Sequence, residues 1–143
     1  MTRLPTLLVL CAALAGCGPS PITESRLEAA IAGTFANLVH LQLLRIGLPS
    51  IAASDLKVVA SCYRIGGGSI GAGEWTCSLI WAGPNGATVR DSYDVAATTD
   101  GCYTATVGGS ESQLGGPAMD TPGRRQVRNV LYSFEGCFSL DSN

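Results

Sequence analysis

From Thr23 to about Gly47 apolar side chains return every three or four residues, and from Leu56 onward they return every second residue. The first spacing is one face of an α-helix, and the second is one face of a half-buried β-strand. Leu27, Ile31, Phe35 and Leu38 make the helix face. Ser25-Arg26-Leu27-Glu28 has the S-x-x-E pattern of a capping box, with Thr23 as a second cap candidate. Gly33 weakens the helix by about 1 kcal/mol relative to alanine. Between Leu38 and Leu48 the segment is apolar nearly all round, broken by His40, Gln42 and Arg45. Gly47 suits a C-terminal cap, and Pro49 bars continuation.

The alternating part predicts five strands. Leu56, Val58, Ala60 and Cys62 share one face of 56–63, and Trp75, Cys77, Leu79 and Trp81 share one face of 74–81. In 87–98, Val89, Tyr93, Val95 and Ala97 lie opposite Arg90, Ser92, Asp94 and Thr98. A short strand is expected at 102–107 and a last one at 126–134. The links are a glycine-rich tip (64–73), turns at 83–86 and 98–101, and a Gly/Ser-rich connection from 108 to 123. Short links imply antiparallel neighbours. The expected fold is therefore α+β: one N-terminal helix packed across an antiparallel meander of four to five strands.

The segment before the helix changes the picture of where this fold resides. Arg3 is the only charge in the first 23 residues, and Leu4–Leu14 is almost entirely apolar. That run is short of the ~20 residues needed to span a bilayer and has the form of a secretory signal peptide. Leu14-Ala15-Gly16-Cys17 resembles the bacterial lipobox. The resemblance implies a lipoprotein signal peptide over 1–16 and a Cys17 that carries a diacylglyceryl group and palmitate. A lipidated tether over 17–22 and one domain over 23–143 then follow. Ala13-Leu14-Ala15 is also an A-x-A site, which leaves open cleavage before Gly16. Of six cysteines, lipidation removes Cys11 and occupies Cys17, leaving an even four. Cleavage before Gly16 leaves five. An even set suits an oxidising compartment.

Charge and composition exclude more than they identify. Without Arg3 there are eight basic against eleven acidic side chains, net −3. This gives no footprint for nucleic acid. Residues 66–71 satisfy G-x-G-x-x-G, but a strand follows them and no helix faces a phosphate. Residues 67–71 also satisfy G-x-S-x-G around Ser69, yet the one histidine, His40, precedes that serine. The carboxylates are scattered without calcium-loop spacing, and Asp91 and Asp94 sit on opposite faces of one strand. Arg124, Arg125 and Arg128 form a small basic cluster, read as a solvated turn or a contact for anionic headgroups. No metal site and no cofactor are expected, since there is no C-x-x-C.

"DGCY" (100–103) and "EGCF" (135–138) repeat one order of residue types. Four cysteines allow three pairings. Cys62 and Cys77 fall on consecutive strands, and Cys102 begins one strand while Cys137 follows the last. This placement favours Cys62–Cys77 and Cys102–Cys137. Gly101 and Gly136 would let the chain turn beside each sulfur, with Tyr103 and Phe138 shielding the bond.

The helix, the strand ending in Cys62, "WTCSL" (75–79), "YDV" (93–95), "DGCYTAT" and "LYSFEGCF" together resemble small actinobacterial cell-envelope lipoproteins of unknown function. The resemblance implies an envelope location and a small α+β fold, and carries no activity. The function expected is a non-enzymatic binding or accessory module, lipid-anchored on the extracytoplasmic face of the cell membrane. Its partner would be an envelope protein, a wall polymer or an apolar ligand held between helix and sheet. The alternatives are a secreted inhibitor-like or structural domain, and a serine hydrolase using Ser69 with His40.

Overall fold

The computed structural model describes residues 21–83, 85–109 and 112–140. The expected signal peptide and Cys17 lie outside them. The chain forms helix α1 (Glu24–Arg45), a 3-10 turn (Ala53–Leu56), and strands β1 (Val59–Arg64), β2 (Gly73–Ala82), β3 (Thr88–Ala97) and β4 (Cys102–Val107). Strands β5 (Ala118–Asp120), β6 (Gln126–Arg128) and β7 (Ser133–Cys137) complete it. Five strands make one antiparallel sheet in the order β1-β2-β3-β4-β7, and β5-β6 make a separate hairpin. This is the α+β meander that the spacing predicts, with both disulfides paired as expected.

The helix covers one face of the sheet. Its buried stripe runs Leu27, Ile31, Phe35, Val39 and Leu43, with Ala36 and Gln42 beside it. The stripe keeps a step of four, so Val39 rather than Leu38 continues the face. By length and composition α1 would also pass as a membrane span, but this stripe packs on the sheet. Phe35 meets Trp81 at 4.8 Å, Tyr93 at 5.9 Å and Phe134 at 6.2 Å between ring centroids. Two of these contacts, with Trp81 and Tyr93, are edge-on, a geometry worth about 0.5–1.5 kcal/mol each beyond area burial.

The helix ends differ from each other in how well sequence foretold them. At the C-terminus Leu48 N–H bonds Leu43 C=O at 2.9 Å and Gly47 N–H bonds Leu44 C=O at 3.2 Å. With Gly47 at φ 75, this is the Schellman arrangement expected of a glycine there. At the N-terminus the cap is Thr23, whose hydroxyl accepts from Arg26 N–H; Ser25 lies inside the helix. The capping box does not form because the helix starts at Glu24, before Ser25, and Glu28 bonds elsewhere. Its carboxylate accepts the Cys62 N–H of edge strand β1 at 2.8 Å. That bond satisfies a donor the sheet leaves open and covers part of the edge.

The expected strand 126–134 is two strands. Gln126–Arg128 pairs with Ala118–Asp120, the chain then turns, and Ser133–Cys137 pairs with β4. Asn129 causes the break. Its Nδ2 donates to the carbonyls of Leu114 (2.8 Å) and Gly116 (3.0 Å), and its Oδ1 accepts Leu131 N–H at 3.1 Å. A side chain that offers the backbone local partners competes with the ladder.

Tyr103 does not shield the Cys102–Cys137 bond. It faces the helix, where its hydroxyl donates to Thr34 Oγ1 at 2.8 Å, while Cys102 and Cys137 face the other side of the sheet. Gly136 sits opposite Tyr103, and a Cβ there would come within 2.6 Å of the phenol oxygen. Glycine is needed at 136 for the ring, not for the sulfur.

Candidate functional site

Beyond Gly47 the chain turns back beneath the helix end. His40 holds this return: its Nδ1–H donates to Ile51 C=O at 2.9 Å. The 3-10 turn then directs Leu56 inward, and Lys57 leaves it in a left-handed conformation, φ 48. Between this return, the helix and the sheet lies a cleft of about 200 Å³. Val39 and Leu43 of α1 form its roof, Trp81 and Val89 its floor, and Ile51 and Leu56 one wall. Gln113, Leu114 and Leu131 form the opposite wall.

Gln113 and Leu114 of that wall belong to the Gly/Ser-rich connection, which composition presents as a linker. It is fastened. Among the described residues three polar side chains are buried, Gln42, Asp91 and Asn129, and each bonds this part of the chain. Asp91 accepts from Ser112 Oγ at 2.6 Å and from Gln113 N–H at 3.1 Å. Gln42 accepts Val130 N–H at 3.2 Å and donates to Met119 Sδ at 3.2 Å. Asn129 holds Leu114 and Gly116 as above. Buried polar groups need such partners, and satisfied ones give a loop a single position.

Tyr93 lies between the cleft wall and the aromatic core and donates to Leu131 C=O at 2.7 Å. Burial pushes its phenol pKa well above the usual value, and the nearby Asp91 charge pushes it further the same way. Tyr93 is thus a neutral hydrogen-bond donor at any physiological pH. The cleft offers apolar surface with no nucleophile or acid–base pair among its lining residues. It suits retention of an apolar group by burial.

The other sequence candidates lie apart from it. Ser69 is at the β1–β2 tip, where its C=O accepts Glu24 N–H at 3.0 Å. His40 is sixteen residues further along α1, about 24 Å away at 1.5 Å per residue. The Ser69–His40 pair is therefore not assembled. The tip is also not a free hairpin end: Gly71 N–H bonds Ile22 C=O at 2.8 Å, and Thr23 bridges Ile70. Ile22, at the end of the expected tether, is buried in the core. Arg124, Arg125 and Arg128 are exposed on the β5–β6 hairpin. The Cys102–Cys137 bond lines a depression of about 360 Å³ on the outer face of the sheet, with Thr98, Thr104 and Glu135.

Asp91, Gln42 and Asn129 escaped a functional reading from sequence. The signal was present for two of them. Asp91 interrupts the inward set Val89, Tyr93, Val95, and Gln42 interrupts the apolar helix end. A polar residue on an apolar face has a partner to find. No protein-family model matches this chain, and no curated protein or solved structure is significantly similar to it.

Proposed function

We propose that this chain is a lipid-anchored, non-enzymatic binding module of the bacterial cell envelope, and that it holds an apolar, chain-like group in the cleft beneath the end of α1. The observation that carries the binding is the cleft itself: about 200 Å³, apolar on roof and floor, with its open wall pinned by buried polar side chains. A cavity lined by Leu, Ile, Val and Trp excludes water poorly matched to it and gains from an alkyl occupant. The anchor is supported by the Leu14–Cys17 motif, the even set of remaining cysteines and the short stretch between Cys17 and the buried Ile22. Two acyl chains hold a protein on a membrane where one is marginal.

The binding is tested by titrating a medium-chain fatty acid, decanoate, into the protein while following tryptophan emission from Trp81. Saturable binding that is lost in Val89→Phe, which enlarges a floor residue opposite Trp81 on the inward face, is expected; unchanged binding in that variant would sink the cleft as the site. The anchor is tested separately. Palmitate labelling and membrane partition should both disappear in Cys17→Ser.

A further inference from the structure

The β1–β2 tip carries two large apolar side chains that the core does not use. Ile65 is 58% exposed and Ile70 54% exposed. Neither folds inward, because the inside of the tip is filled by Arg64. Its guanidinium donates to Ala72 C=O at 2.7 Å and lies within 3.9 Å of where side chains would begin at Gly68, Gly71 and Gly73. The tip is also fixed in place. An antiparallel bridge between Thr23 and Ile70 joins it to the first residues of the fold through two backbone hydrogen bonds, Glu24 N–H to Ser69 C=O and Gly71 N–H to Ile22 C=O.

Those first residues follow Cys17 closely. The five residues 18–22 lead from Cys17 to Ile22. At full extension they reach about 17–18 Å. If Cys17 carries acyl chains, the tip is held within that distance of the headgroups. Of the other exposed large apolar residues, Tyr63 lies on β1 beside the tip, Val59 lies at the far end of β1, and Leu41, Leu44 and Leu48 lie at the opposite end of α1. Leu44 is twenty residues from Glu24, about 30 Å along the helix axis.

We propose that the β1–β2 tip, through Ile65 and Ile70, is a lipid-contacting surface that seats the domain on the bilayer with the helix N-terminus toward the membrane. The proposal rests on the lipid-anchored reading. The contact is apolar. Arg26 and Arg64 share this end with Glu24, Glu28 and Glu74, so no single sign of charge dominates it. Seating the tip leaves the cleft, at the far end of α1, open to the aqueous side.

The test uses the full lipidated chain in vesicles of phosphatidylethanolamine and phosphatidylglycerol containing a doxyl-labelled lipid. Ile70→Trp, and separately Ile65→Trp, add an emitter at the tip; Leu44→Trp adds one at the far end. Trp75 and Trp81 are buried and set the common baseline. Tip emission quenched at least about two-fold more than emission from the Leu44→Trp variant is expected, unchanged in high salt. Equal quenching at both ends, with the protein still bound to vesicles, would overturn the tip contact and leave the anchor standing. Quenching abolished by salt would overturn the apolar nature of the contact. A wild-type chain that carries no palmitate and does not bind vesicles would remove the anchor, and the proposal with it.

Discussion

Each disulfide joins directly opposed residues of neighbouring antiparallel strands, Cys62 with Cys77 on β1–β2 and Cys102 with Cys137 on β4–β7. They differ in the face they occupy. Cys62 is 3% exposed and Cys77 fully buried, under the helix among Trp75, Leu79 and Trp81. The second bond lies on the opposite face, with Cys137 exposed beside an open depression. In the chain-entropy account the two contribute alike, about 3 kcal/mol for the 15-residue separation and about 4 for the 35-residue one. Their surroundings are what differ. The inner bond is part of a packed core, and the outer one is a clasp on a sheet edge that solvent reaches.

The largest consequence is kinetic. Dithiothreitol added to folded protein should reduce Cys102–Cys137 on the order of a hundredfold faster than Cys62–Cys77, because the inner sulfurs are reached only when the core opens. Alkylation followed by peptide mapping measures both rates. Equal rates would mean that face does not separate the two bonds.

Next comes a pair of carboxylates on one strand. Asp91→Ala on the inner face strands the Ser112 hydroxyl and Gln113 N–H and should cost roughly 2 kcal/mol in urea unfolding. Asp94→Ala on the outer face should stay within about 0.5 kcal/mol. The comparison breaks if Asp94 proves the costlier.

Titration divides the faces as well. The Tyr93 pKa is raised in the fold, so its contribution is complete below the ordinary phenol pKa of about 10 and is lost as pH rises above it. Between that pKa and the raised folded one, stability should fall with a slope of up to about 1.4 kcal/mol per pH unit. Tyr93→Phe should flatten that slope. Tyr103, also raised by burial, leaves a smaller one behind.

The smallest effect is on the outer face. Asp100 accepts from the Thr98 hydroxyl and the Cys102 N–H, which hold its carboxyl below the usual range. Its contribution is present above the unfolded carboxylate pKa and disappears as pH falls through the folded one. Asp100→Asn should remove a slight acid limb from the unfolding curve; a limb unchanged in that variant would assign it to another carboxylate.

Much of this was legible in the chain. The helix and the first four strands follow from spacing, and strand placement favoured the cysteine pairing that forms, with Cys62 and Cys77 repeating the inward phase of their strands. Three local patterns misled. Ser25 and Glu28 have capping-box spacing, but the helix already starts at Glu24 under the Thr23 cap, and Glu28 bonds the edge strand. The run from Gln126 to Phe134 looks like one strand until Asn129 finds Leu114 and Gly116. Tyr103 stands next to Cys102 in sequence and on the opposite face of the sheet. The cleft was foreshadowed only as an apolar excess near Leu38–Leu48, because its other wall comes from residues 113–131.

The sequence by itself determined the helix, the first four strands, their order and the inward phase of the first three, and favoured one pairing of the four cysteines. Periodicity and turn chemistry act between residues a few positions apart, and they can be read in one dimension. Only the tertiary structure decided that the second disulfide faces outward, that the connection is pinned by Asp91, Gln42 and Asn129, and that the tip is tied to the start of the helix. Those features depend on donors and acceptors far apart in the chain meeting in a space from which water is excluded, and no local pattern specifies that meeting.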